Sequence, residues 1–102
     1  MRQIRIAELD ERRPVLLLTR DVVIPHRARV TVAPITSTIR GLASEVPVGP
    51  DNGLDHESVV SCDNIATIHK DALGRVVGHL LAHQENELTN AIRAAFDLEP
   101  AP

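Results

Sequence analysis

Two short stretches of this 102-residue chain carry residue types and spacings suited to chemistry: Arg13-Pro14-Val15 and Pro34-Ile35-Thr36-Ser37. Each closes an apolar run, Val15 to Leu18 in one case and Val30 to Ile35 in the other, with a polar side chain at one end. Suppose the run 14–19 pairs antiparallel with the run 30–35 through the polar loop around Asp21 to Arg29. With Thr19 facing Val30, Pro14 falls opposite Ile35, and Arg13 beside Thr36. A guanidinium next to a hydroxyl at a strand mouth suits a phosphate. A fixed cation acts best where charge grows in a transition state, and a threonine hydroxyl can donate to a phosphoryl oxygen. Arginine is a poor base, because its pKa exceeds ~12.

The five histidines and the lone cysteine fit other roles. His26 lies in the loop that joins the two key strands, which the same pairing sends to the far end of the hairpin. Five or so residues at ~3.3 Å each put it roughly 16 Å from Arg13 and Thr36. His56 and His69 read as solvated loop residues. His79 and His83 show His-x-x-x-His spacing, with Cys62 as a third conceivable ligand. However, Leu80 stands where the metalloprotease motif needs Glu, and His79 belongs to a strand run. Asp51-Asn52-Gly53 is a turn that lacks the later acidic ligands of a calcium loop. The expectation is no metal and no cofactor. Cys62 excludes an internal disulfide and sits in an apolar run as a buried thiol would.

The elements that must position these residues are mostly strands. Gln3 to Leu9 reads as a strand with Ile4 and Ile6 on one face, and Pro14 holds Arg13 extended at the start of the next. Val15 to Leu18 is continuously apolar, the mark of a central strand buried on both faces. Val30 to Ile35, Glu45 to Val48, Glu57 to Cys62, Ile65 to Ile68 and Gly74 to Leu80 follow, with Gly49-Pro50-Asp51-Asn52-Gly53 a strong turn signal. One helix is expected near Gln84 to Leu98, burying Leu88, Ala91, Ile92, Ala95 and Phe96, with Glu85 and Glu87 near its N-terminus and the Glu-Pro-Ala-Pro tail ending it. Many short strands and one terminal helix imply a mainly β fold, a small bent antiparallel sheet or partly open barrel forming one domain over 1–102.

The formal charge of −3 hides a strong asymmetry. Residues 1–40 hold eight Arg against four acids, a net +4, whereas residues 41–102 hold three cations against ten acids, a net −7. Ten of the eleven basic residues are Arg, which can grip phosphate bidentately, so a local basic face can bind an anionic chain on an acidic protein. No apolar run approaches the roughly 20 residues that span a membrane, and no signal peptide is visible, so a cytoplasmic protein is expected.

Read in order, Arg13-Pro14-Val15, Pro34-Ile35-Thr36-Ser37, Ser58-Val59-Val60-Ser61-Cys62-Asp63-Asn64-Ile65-Ala66-Thr67 and Leu73-Gly74-Arg75-Val76-Val77-Gly78-His79-Leu80 resemble the MazF/PemK family, the toxin half of bacterial toxin–antitoxin pairs. The match is collinear over nearly the whole chain. The resemblance implies an SH3-like (CcdB/PemK-like) barrel and a homodimer with an RNA groove across the subunit junction. It also implies metal-independent cleavage of single-stranded RNA, in which the 2′-hydroxyl attacks its own phosphate, with translation slowed as a result. The family's catalytic arginine and threonine map to Arg13 and Thr36. RNA contacts are expected from Ser37, Thr38, Arg40, Asp63 and Asn64, and the partner is a small MazE-like antitoxin that covers the groove.

Two departures from the family pattern bear on the site. The long first loop, with its Gly-Ser-Glu segment, is reduced to Asp10-Glu11-Arg12, leaving Asp10 or Glu11 to stand in for the missing Glu. At positions 64 and 66, where Gln and Arg are usual, the chain has Asn64 and Ala66, which implies altered RNA preference. Two other classes remain open at this point: a toxin of the same barrel type that poisons a protein such as DNA gyrase, and a non-catalytic binding module.

Overall fold

The computed structural model describes residues 1–99, which build seven strands, one α-helix and four short 3-10 turns. The strands are β1 (Gln3–Glu8), β2 (Arg12–Leu17), β3 (Arg29–Thr36), β4 (Glu45–Val48), β5 (Ser58–Ser61), β6 (Ala66–His69) and β7 (Leu73–His79), followed by α1 (Gln84–Phe96). All pairings are antiparallel, in the order β4-β5-β3-β2-β1-β7, with β6 beside β5 along the same edge of β3. The sheet curls into a half-open barrel.

The central strand is buried on both faces. Leu16 packs with Ile4, Ala33, Ile35, Val46 and Val60 beneath α1, which contributes Leu88 and Ala91. On the other face Val15 and Leu17 meet Ala7, Val30 and Val32, flanked by Leu9, Ile24, Ile68 and Leu73. At about 1.5–3 kcal/mol for each fully buried aliphatic side chain, β2 anchors two cores at once. Leu9 and Leu18 lie just outside the strands expected to hold them, and Arg12 belongs to β2 rather than to the first loop.

Ile4 and Ala7 are the buried residues of β1 and lie in opposite cores, so the strand keeps its two-residue alternation; Ile6, on the same side as Ile4 and opposite Pro14, is only partly buried. One expectation is corrected. Phe96 is 55 % exposed. At about 100° per residue, it lies about 80° around the helix from Leu88 and leaves the buried stripe. The helix ends at Asp97, whose φ of 54° turns the chain so that its N–H and that of Leu98 both donate to Arg93 O. The last three residues of the proline-rich tail lie outside the described residues.

A buried polar latch joins the turn to the helix. Asn52 Nδ2 donates to Gln84 Oε1 (2.7 Å) and His79 O (3.0 Å), and Asn52 Oδ1 accepts from Gly49 N. Gln84 Oε1 also accepts Leu81 N at 2.9 Å. The turn needs Gly53 at φ 90°, and it sits so close to β7 that a Cβ on Gly78 would fall 1.7 Å from Asn52 O. Asn52→Ala is expected to lower stability by about 1–3 kcal/mol, by removing the hydrogen bonds to Gly49 N, His79 O and Gln84 Oε1. Urea unfolding measures this, and an unchanged midpoint would remove the latch from the account.

Candidate active site

Val15, Leu16 and Leu17 pair with Pro34, Ala33 and Val32. The same register carried two residues further sets Arg13 beside Thr36, as the sequence pattern requires. Side chains alternate along a strand, so Arg13, Val15 and Leu17 share one face with Thr36, Pro34 and Val32. At the mouth, this face opens into a groove of about 660 Å³ lined by Arg13, Thr36, Thr38, Arg40, Asp63 and Asn64, among others.

Arg13 is 27 % exposed, and its Nη2 pairs with Glu11 Oε1. Its Nε is buried without a hydrogen-bond partner among the described residues. A desolvated cationic donor of this kind gains most from an anion. The tight turn Leu9–Glu11 fixes the neighbouring acids: Asp10 lines the groove, and its Oδ1 accepts Glu11 N at 3.0 Å. Thr36 Oγ1 accepts Thr38 N at 3.1 Å, which leaves the hydroxyl proton free to donate.

The far rim is a bulge between β5 and β6. Val60 faces Ile35 and Ala66 faces Val32, so six residues on one side advance against three on β3. The excess is taken up by the short 3-10 turn Cys62–Asn64, which pushes Asp63 and Asn64 outward. Ser44 Oγ donates to Asp63 Oδ2 at 2.5 Å, and Asn64 Nδ2 donates to Ser61 Oγ at 2.8 Å.

Of the seven residues singled out from sequence, six line the groove, and Ser37 is exposed outside it. Pro34, Glu45 and Ser61 also line it through their place in the strand pairing, and Leu9 and Leu42 reach it from loops. Ala66 opens the wall where a longer side chain would stand. No histidine reaches the groove. His26 ends a short 3-10 turn, Ile24–His26, at the other end of the hairpin, and His69 Nδ1 accepts Asp71 N. His79 lies on β7 and His83 just before α1, and among the described residues no three His, Cys, Asp or Glu side chains cluster as metal ligands. Cys62 is buried, and desolvation, reinforced by the charge of Asp63, pushes its thiol up to about 11.

The sequence profile of the PemK-like, MazF-like toxins of type II toxin–antitoxin systems matches residues 3–96. Endoribonuclease MazF3 of Mycobacterium tuberculosis is 63% identical over 99 residues, which cover 97% of this chain and 96% of the relative. Among solved structures, the Mycobacterium tuberculosis toxin MazF-mt6 has a TM-score of 0.93 at 62% identity, covering 95% of this chain and 98% of that one. An endoribonuclease in complex with its cognate antitoxin, from a mycobacterial species, has a TM-score of 0.84 at 30% identity, covering 98% and 95%.

The thiol yields a pH prediction. Its folded pKa lies above the ordinary value of 9.0, so the folded state holds the proton more tightly. Its contribution to stability is complete below pH 9 and is lost as pH rises from there through about 11. The unfolding midpoint of the native chain is expected to fall across that window more steeply than that of Cys62→Ala. Parallel curves for the two would contradict the burial effect.

Proposed function

We propose that this chain, which belongs to the PemK/MazF family of toxins of type II toxin–antitoxin systems and is an endoribonuclease, cuts single-stranded RNA at selected sequences without a metal ion and so inhibits translation. The observation that carries this reading is the meeting of Arg13 and Thr36 in one groove, with Arg13 Nε buried and unpartnered. In this reaction the 2′-oxygen attacks the adjacent phosphorus, and the bond to the 5′-oxygen breaks. The products are a 2′,3′-cyclic phosphate and a 5′-hydroxyl. Arg13 stabilises the charge that builds on the phosphoryl oxygens, and the Thr36 hydroxyl donates to one of them. The scissile phosphate takes the place of Glu11 on the guanidinium. Asp10, the loop acid that lines the groove, accepts the 2′-hydroxyl proton, and the leaving 5′-oxygen takes its proton from solvent.

Thr38, Arg40, Asp63 and Asn64 offer hydroxyl, cationic, carboxylate and amide contacts to unpaired bases. Pro34, Leu9 and Leu42 add apolar surface to a groove with no aromatic side chain. The reading includes a homodimer that extends the groove, action in the cytoplasm, and a cognate antitoxin that covers the site. Support for the antitoxin comes from the relative in complex with its own, and from Ile39 and Leu42, apolar and 55 % and 46 % exposed beside the rim. Poisoning of a protein target, or binding without catalysis, would produce no new RNA ends.

Long RNA incubated with the purified chain in EDTA is expected to yield 2′,3′-cyclic phosphate and 5′-hydroxyl ends. Absence of cleavage, or ends of another chemistry, would overturn the reading. Arg13→Ala should lose on the order of 10²–10³ in rate with the fold intact, Thr36→Val should cut more slowly at unchanged stability, and Arg12→Ala should do far less. Wild-type rates for Arg13→Ala would remove Arg13 from the mechanism. Asn64→Ala should broaden the cleavage motif more than it lowers the maximal rate. Sequencing of cut ends decides that point, and an unchanged motif at a lower rate would mean Asn64 does not read bases.

A further inference from the structure

The groove contains an acid that neither the phosphate chemistry nor the base contacts explain. Glu45, the first residue of β4, lines it and is partly buried, where a carboxylate repels a polyanion. Its oxygens point back into the preceding loop. Oε1 accepts Arg40 N at 3.2 Å and Leu42 N at 3.1 Å, and Oε2 lies 3.4 Å from Arg40 N. The backbone closes the same ring, since Glu45 N donates to Leu42 O at 3.1 Å. Between the two tethered amides, Gly41 takes φ 71°, the left-handed conformation that reverses the chain. The loop from Ser37 to Ala43 is otherwise exposed. A charged acceptor that gathers its N–H groups therefore fixes where Arg40 stands.

The neighbouring contacts place the other rim on the same foundation. Glu45 pairs across the sheet with Ser61, whose hydroxyl holds Asn64, and Ser44 holds Asp63 while its carbonyl accepts Cys62 N. Three adjacent tethers at the mouth end of β4 and β5 thus hold Arg40, Asp63 and Asn64.

We infer that Glu45 is a positioning residue for the RNA-reading rim: its carboxylate pins the Arg40–Leu42 turn, and RNA affinity and base selectivity depend on that turn. The inference rests on the reading of the groove as an RNA cleft. A misplaced contact outside the reacting centre weakens substrate binding and leaves the chemical step largely intact.

The test compares the full-length chain with Glu45→Ala and Glu45→Gln. Amide exchange at Arg40 and Leu42 is followed by NMR without RNA. Cleavage is followed on an oligonucleotide carrying the wild-type motif and, by end sequencing, on long RNA. Glu45→Ala is expected to speed exchange at both amides, raise KM about tenfold, keep kcat within about threefold and loosen the motif. Glu45→Gln keeps the Oε1 acceptor and should retain KM and motif. Equal loss of kcat in both variants would overturn the inference by giving the charge a role in the chemistry. Unchanged KM and motif in Glu45→Ala would overturn it too, by separating the turn from RNA. A wild-type chain that cuts no RNA would defeat the nuclease reading, a failure distinct from that of the tether, which exchange reports by itself.

Discussion

The pairing of β2 with β3 is the constraint on which both the cores and the groove depend. Its register sets Val15 and Leu17 against Val32 and Pro34 on one face, and Leu16 against Ala33 on the other. A slip of one residue would exchange those faces, exposing one aliphatic set and driving the other into a space shaped for different side chains. The same slip would bring Arg13 opposite Ile35 or Ser37, whose side chains alternate with that of Thr36. Register is therefore enforced by burial along the middle of the strands and used at their mouth. The chemistry-bearing pair needs no separate device to meet, because the two cores already hold it in place.

This explains why so much of the site was legible in the sequence. Pro14 and the unbroken run Val15 to Leu18 announce a central strand, and an antiparallel partner of matching length gives one register with both faces filled. The bulge that presents Asp63 and Asn64 was harder to see. The segment 58–69 reads as two strands, but that they lie along one edge of β3 with three residues to spare is a fact of pairing, not of pattern. Ser37 carried the right chemistry and missed the groove. The alternation of β3 had already assigned the groove to Thr36, and the residue after it begins the exposed loop.

What the sequence concealed is mostly long-range or local backbone geometry. Asn52 reads as a turn residue, and its role as a latch emerges only when Gln84, 32 positions away, meets it. Ile4 and Ile6 share one side of β1, but only Ile4 is buried there, and that the other side buries Ala7 in a second core is a fact of pairing. Phe96 fits the apolar spacing in outline, but the stripe has rotated past it by the last turn. Glu45 is the instructive case. Its position before a β-branched residue marks only the start of a strand, and nothing in its neighbours' types says that its carboxylate folds back on their amides.

The electrostatics of the groove follow from these tethers. Asp10, Glu45 and Asp63 line a groove that also holds Arg13 and Arg40, a poor balance for a surface meant to attract phosphates along its length. Each acid has a partner: Asp10 takes the Glu11 amide, Glu45 the Arg40 and Leu42 amides, and Asp63 the Ser44 hydroxyl. Hydrogen bonds to a carboxylate lock loops more firmly than neutral ones, so acids can set the rims although they weaken long-range attraction for RNA. Such a groove cannot rely on diffuse charge to hold its substrate. In the proposed reading, the partly buried guanidinium of Arg13 takes the scissile phosphate and the fixed rims take the bases. A chain of net charge −3 can thus work on a polyanion, with contact geometry in the place of bulk charge.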